Sequence, residues 1–309
     1  TGGRSNGNTT TASTRITAQG GGVVRVFPSR RGELRLPVRL SEMSPWLWKA
    51  TVAVEDRRFY SHRGVDVLAI ARAAWQNASR WRIHSGASTI PQQLVRILDE
   101  RPRTLFSKAV EAFHALQLES QRSKDGLLEA YLNLAPYGGN LRGVEAAALR
   151  YFGKNAGGLS LAEAALIAGL PQSPARYRPD RHLDRALERR RVVLEAMSRS
   201  GFISREDFDA ALAERPDVRV RPWPFEAPHF AEMARARAAP RYGGTVATTL
   251  DRELQAAAEA RLAAFFADDP DRRRRLSGSA VVLDVATGAV RALAGSPCYF
   301  DRERRGAVN

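Results

Sequence analysis

From Ser44 to Leu212 apolar residues recur at intervals of three and four almost without a break, a period that packed helices satisfy and strands do not. Trp48, Val52, Glu55 and Phe59 share one stripe, and Leu127, Leu128, Tyr131 and Leu132 mark another. Two helix starts can be read directly. Ser160 with Glu163, and Ser204 with Asp207, have the spacing of a capping box, in which each side chain satisfies the other residue's backbone N–H. Pro171 and Gly201 are natural stops. The spacing predicts a mainly α domain.

The flanks read differently. Residues 1–22 are rich in Thr, Gly, Ser and Asn without periodicity, and a disordered tail is expected there. Short strands over 23–27 and 33–40 then lead into a helical domain ending at 214. Prolines 216, 222, 224, 228 and 240 make 215–247 read as a linker. In the remainder, 248–309, a helix over 251–267 shows an apolar face through Leu254, Ala258 and Leu262. After it the period changes, and 279–295 reads as two strands joined at Thr287 and Gly288.

A net charge of +15 over 309 residues favours a polyanionic partner: nucleic acid, an anionic membrane surface or a phosphate-bearing substrate. Only Lys49, Lys108, Lys124 and Lys154 among the 48 basic residues are lysines. In a chain that writes positive charge as Arg, Lys108, Lys124 and Lys154 mark candidate positions for a compact ammonium, although chance explains them as well. The single cysteine, Cys298, excludes an internal disulfide and a cysteine-rich zinc module. No uncharged apolar run approaches the length of a membrane span, and the first residues have no signal-peptide pattern.

The chemistry-bearing residues cluster in blocks. The first, EDRRFYSHRGVD, runs from Glu55 to Asp66. Glu55 lies late on an apolar helix, where partial desolvation favours a general base. A plain Glu55–Arg58 pair, worth about 0.2 to 0.5 kcal/mol on a helix surface, explains it equally well. Asp56 can hold His62 or an arginine in place, and Gly64 permits a sharp turn or a close approach. The second block, GASTIPQQL from Gly86 to Leu94, gathers hydroxyls and amides suited to sugar and phosphate oxygens, namely Ser88, Thr89, Gln92 and Gln93. It also reads as a capped helix beginning near Ser88, whose amino terminus would attract phosphate. In the third, RTLFSKAVEAFHALQLE from Arg103 to Glu119, Lys108 and Glu111 stand three apart, the spacing of a salt bridge.

Those blocks, followed in order by KDGLLEAYLNLAPYGGNLRGVEAAALRYFGK (124–154) and LSLAEAALIAGLPQSPARYRP (159–179), resemble the five motifs of the family 51 glycosyltransferases. These are the peptidoglycan polymerases of class A penicillin-binding proteins. The wording APYGGNLRG and PQSPARYRPDR is most similar to the penicillin-binding protein 1C branch. The resemblance implies a lysozyme-like, mainly α domain over 23–214. It also makes 248–309 the incomplete start of a transpeptidase domain. The 309 residues contain neither S-x-x-K nor K-T-G, so labelled penicillin is expected not to attach.

By the same resemblance Glu55 is the essential acid/base and Glu111 the second important glutamate. Arg103, Lys108 and Lys154 hold a diphosphate, while Ser88, Thr89, Gln92, Gln93, Asp56 and His62 shape the substrate site. Two departures stand out: Pro91 replaces the family's threonine, and Ser107 replaces an arginine, removing one cation. The implied reaction joins lipid II to a growing glycan linked to undecaprenyl diphosphate. Its product is a β-1,4 strand in bacterial cell wall synthesis. No organic cofactor is implied, and a divalent cation, magnesium or manganese, has room to assist at the diphosphate. The expected setting is the periplasmic face of the inner membrane, against an anionic surface and beside other cell-wall proteins. The family's membrane anchor lacks a counterpart here. Two alternatives stay open: a lysozyme-like glycosidase cutting the same polymer, and a non-enzymatic basic module. No nucleic-acid motif supports the latter, and nucleic acid is not an expected partner.

Overall fold

A computed structural model describes residues 12–72, 88–99, 104–238, 243–267, 276–301 and 306–307. The chain divides into two compact units, 35–221 and a second that joins 1–34 to 222–309.

The first unit is helical, as the period requires. Helix α1 (Pro45–Glu55) starts with proline in its first turn, where the missing N–H costs nothing, and buries Leu47, Ala50, Thr51, Val52 and Ala53. It ends at Glu55 because Asp56 turns extended, so Phe59 is buried from the following turn rather than from the helix stripe. After a short helical stretch at 67–72 come α2 (Ile90–Asp99), α3 (Leu105–Gln121) and α4 (Lys124–Leu134). A small antiparallel hairpin, β4 (Pro136–Gly138) and β5 (Leu141–Arg142), follows a two-residue strand β3 (Leu34–Arg35) in the numbering.

Then come α5 (Val144–Phe152), α6 (Leu161–Gly169), α7 (Leu183–Arg199) and α8 (Arg205–Ala213). Both expected capping boxes are formed, Ser160 with Glu163 at α6 and Ser204 with Asp207 at α8. Helix α6 is the centre of this core. Its alanines at 162, 165 and 168 have no bulk to keep neighbours away, so α1 and α7 pack directly on it, with Val193, Leu194 and Met197 closing the cluster.

Glycine matters most at Gly143. Its φ is +81°, and a Cβ there would stand 2.8 Å from the Asn133 carbonyl oxygen. The glycine-rich turn of the fourth block therefore lets the chain close on itself after α4.

The second unit corrects two expectations. Residues 12–22 are not a tail: β1 (Thr14–Thr17) pairs antiparallel with β2 (Val23–Phe27) and parallel with β6 (Gly244–Ala247). Composition hid this strand, whose Thr–Arg–Ile–Thr run is rich in β-branched residues and seats Ile16 in the unit's core beside Val24, Phe27, Phe230 and Leu250. Nor is 215–247 simply a linker. It contains β6 and helix α9 (Pro228–Ala238), whose proline occupies the first helical position, where proline starts a helix instead of breaking it.

Helix α10 (Arg252–Ala267) forms as expected, with Asp251 accepting from the N–H groups of Glu253 and Leu254 at its start. Its inward face differs from the one expected. Leu254 is exposed, whereas Gln255 and Phe266 are buried, because the Gln255 amide pairs both with the N–H and with the carbonyl of Leu293. That residue belongs to β8 (Val290–Ala294), which pairs antiparallel with β7 (Ala280–Leu283) around the expected turn. Asp284 holds the turn by accepting from the N–H and hydroxyl of Thr287.

Candidate active site

Helix α1 ends on Glu55, the residue expected to act as acid/base. Glu55 places a largely buried carboxylate in a cleft of about 480 Å³, lined among the described residues by Asp56, Arg57, Arg58, Asp66, Arg72, Ser88 and Thr89. Its Oε2 accepts from Gln93 Nε2 at 2.8 Å. Its Oε1 is buried without a hydrogen-bond partner, and Arg189 on α7 stands 4.0 Å away. Burial pushes the Glu55 carboxyl above its ordinary range. The Gln93 hydrogen bond and the Arg189 charge oppose that rise, and Asp56 adds to it. A carboxylate that burial makes hard to ionise accepts a proton well.

Around this carboxylate the first two blocks are sewn together. Both Asp56 oxygens lie 3.0 Å from His62 Nε2, and Oδ2 also accepts from the Ile90 N–H at 3.0 Å. Thr89 and Gln92 form the start of α2: Thr89 N–H donates to Gln92 Oε1 at 2.9 Å, while the Thr89 hydroxyl donates to the Gly64 carbonyl at 2.5 Å. Gly64 has φ +72°, and a Cβ there would stand 2.9 Å from the backbone of Ala115 and Leu116. Its close approach is to α3. The polar atoms of Thr89 and Gln92, expected to meet substrate, are thus committed to capping. Asp56 and His62 brace the loop, Ser88 and Thr89 both line the cleft, and the Ser88 hydroxyl accepts from Arg96 NH2 at 3.4 Å.

The simple ion pairs drawn from spacing do not form. Arg58 pairs with Asp66 at 3.3 Å, not with Glu55. Glu111 is buried and takes Arg96 bidentately, through Nε at 2.9 Å and NH2 at 2.7 Å, not Lys108. Lys108 is exposed on α3. Lys154, for its part, sets its ammonium against both oxygens of buried Glu163, at 2.8 and 3.0 Å, beside the cap of α6. Lys124 proves structural, donating to the His62 carbonyl at 2.5 Å, pairing with Glu119 at 2.7 Å and lying over the Phe59 ring. Arg103 falls outside the described residues.

Sequence reasoning missed Arg96 and Arg189. Arg96 lies one turn past Gln92 on the same helix, a signal available in the second block. Arg189 sits in a run of three arginines that differ in fate: Arg190 is buried against the carbonyls of Leu212 and Glu214, and Arg191 pairs on the surface with Glu195. Nothing in the run itself singles out the member facing Glu55.

Among the described residues no group of three His, Cys, Asp or Glu side chains is placed to hold a metal. Asp56 and Asp66, the carboxylates nearest Glu55 in the cleft, are already engaged by His62 and Ile90 and by Arg58 and Ala69. These residues do not make a protein cage for a divalent cation.

The first unit is thus helical, with the Glu55 carboxylate beside a cleft that Arg57, Arg58 and Arg72 line. The transglycosylase family profile matches residues 21–198, and the chain belongs to that family, whose domain is lysozyme-like and mainly α. Penicillin-binding protein 1C of Escherichia coli (strain K12) is 38% identical over 294 residues, covering 95% of this chain and 37% of that protein. Penicillin-binding protein 1A of the same strain is 41% identical over 235 residues, covering 73% of this chain and 28% of that protein. A crystal structure of penicillin-binding protein 1A from Haemophilus influenzae aligns with 95% of this chain and 33% of that one. Its identity is 26% and its TM-score 0.42, too low to carry a statement about fold. The chain spans well under half the length of these relatives.

Proposed function

We propose that this chain is a peptidoglycan glycosyltransferase that polymerises lipid II into β-1,4 glycan and releases undecaprenyl diphosphate. The observation that carries the reading is the largely buried Glu55 carboxylate, held above its ordinary range by burial, at the wall of a cleft lined by Arg57, Arg58 and Arg72. In the reaction, the Glu55 carboxylate takes the proton of the acceptor's glucosamine 4-hydroxyl as that oxygen attacks the anomeric carbon of the donor. The bond from that carbon to the diphosphate oxygen breaks on the opposite face, its electron pair leaves with undecaprenyl diphosphate, and configuration inverts. Cations stabilise the departing charge. Arg96, fixed by Glu111 beside Ser88, joins Arg103 and Lys108 in that role, and Lys154 leaves it. No step is routed through a divalent cation, and a chelator and metal titration tests that choice.

A glycosidase acting on the same polymer would need a second unengaged carboxylate. Glu111 does not supply one, since a guanidinium fills both its oxygens. A purely electrostatic module would have no use for a buried glutamate held above its ordinary pKa. No helix among the described residues is long and apolar enough to cross a membrane. The proposed place of action is the periplasmic face of the inner membrane, where a charge of +15 favours an anionic surface. The test is incubation with lipid II and separation of polymer from substrate. Glycan formation supports the reading; shortening of preformed glycan with no polymerisation would replace it with the glycosidase.

A further inference from the structure

Gln93 can serve Glu55 only if its amide faces the right way. The two ends of a glutamine amide have nearly the same shape and opposite hydrogen-bonding character. Nε2 points at Glu55 Oε2 at 2.8 Å, and the other end, Oε1, accepts from the Tyr131 hydroxyl at 3.3 Å. Reversed, the amide would set an acceptor against a carboxylate oxygen, an arrangement tolerable only when the carboxyl carries a proton.

We infer that Tyr131 is a positioning residue acting through Gln93: its hydroxyl fixes the amide so that Glu55 is held in the proton-accepting form. The inference rests on the reading of Glu55 as the base. Tyr131 suits the task because it is buried on α4, and burial, reinforced by the Glu55 charge, holds its phenol well above its ordinary pKa, so it keeps its proton and can donate. The groups facing Glu55 are few. Asp56 follows it in the chain, Gln93 comes from α2, Tyr131 from α4, Tyr137 from β4 and Arg189 from α7. Burial and Asp56 work against the carboxylate anion, while Arg189 helps from 4.0 Å, beyond hydrogen-bond reach. Among the described residues the Gln93 amide is thus the one hydrogen-bond donor to Glu55. Whatever orients it governs the pH at which the base is available.

The experiment measures lipid II polymerisation by the full chain between about pH 5 and 9, where general bases titrate. Tyr131→Phe should move the acid limb upward by about half to one pH unit, the shift equivalent to one hydrogen bond of ordinary net strength, with KM nearly unchanged. Gln93→Met should move it at least as far, and Gln93→Glu, which fixes an acceptor opposite Glu55, further still. The double variant Tyr131→Phe/Gln93→Met should match Gln93→Met alone, because the Tyr131 hydroxyl donates to Gln93 and makes no hydrogen bond to the base itself. The inference is overturned if Tyr131→Phe superimposes on the parent, or if its shift adds in full to that of Gln93→Met. Should Tyr131→Phe fail to fold, an unmoved acid limb in both Gln93 variants overturns it equally. Activity retained by Glu55→Gln would instead remove the underlying reading of the base, and is told apart by that variant alone.

Discussion

Two buried glutamates, one at the end of α1 and one on α3, show how neighbours decide what a carboxylate can do. Glu111 gives both oxygens to the fork of Arg96, so it cannot move without breaking two charge-assisted bonds. Glu55 has one amide donor, a distant guanidinium and a free oxygen. It also closes a helix, where the macrodipole disfavours negative charge. The difference lies in what faces each side chain, and it separates the proposed base from a bracket.

The sharpest break would be Glu55→Gln, which keeps the shape and removes the proton acceptor. Polymerisation should fall about a hundred- to ten-thousand-fold, the range general-base catalysis contributes. Near-parental glycan output would end the comparison in favour of some other base. A second readout follows from linkage. Burial holds the Glu55 carboxyl above its unfolded value, so its contribution to stability is full below the unfolded carboxylate range and is lost as pH rises through the raised folded value. At neutral pH the ionised group therefore costs stability, and Glu55→Gln should melt above the parent there. That advantage should vanish by about pH 4, below both values. A variant that melts lower at neutral pH would mean that Arg189 depends on this charge more than burial opposes it.

Glu111→Gln should cost less, because it loosens Arg96 without deleting it. We expect a roughly tenfold loss of turnover, with the donor KM rising, and a destabilisation of about 1 to 3 kcal/mol from a charged hydrogen-bond partner lost in a partly buried pair. Arg96→Ala should reproduce most of both effects, and the double variant should add little, since neighbours in one network are not additive. Equal losses of turnover at Glu55 and Glu111, with KM unchanged, would put both carboxylates at the reacting atoms.

The contrast also marks where sequence reasoning stops. The helical period, both capping boxes, strand β2, the 279–295 hairpin and the place of Glu55 were all legible, because each depends on residues close in the chain. Partners were not. The Glu55–Arg58 and Lys108–Glu111 pairs follow from helical spacing, but α1 ends before Arg58 can share its face, and Arg96 arrives from another helix to take Glu111. Strand β1 was missed for another reason: the Thr, Gly, Ser and Asn around it hid a hairpin whose antiparallel partner β2 lies only a few residues on, while its parallel partner β6 is more than two hundred positions away. The inward face of α10 is set by the backbone of Leu293, which no periodicity within the helix reports.

The smallest expected effects separate Lys108 from Lys154, two lysines that composition grouped and the fold sets apart. Lys154 is about half exposed, 48%, but its partner Glu163 is buried and also accepts from the Ser160 N–H at the head of α6. Lys154→Ala should therefore lower stability by about 1 kcal/mol, near the upper end for a pair with one exposed member, and leave the KM for lipid II close to the parent's. Lys108 is exposed on α3, three residues before Glu111, so Lys108→Ala should leave the melting temperature unchanged. Its effect should be confined to use of the diphosphate-linked donor, a loss of a few-fold that added salt diminishes, as screening of a solvent-facing charge requires. Arginine at either position keeps the charge with a different shape. At 154 it should restore stability in part, because Glu163 presents both oxygens to a single ammonium. Should Lys154→Ala instead raise the donor KM while melting like the parent, that lysine returns to the diphosphate site, and the division between bracket and clamp would have to be redrawn around α6.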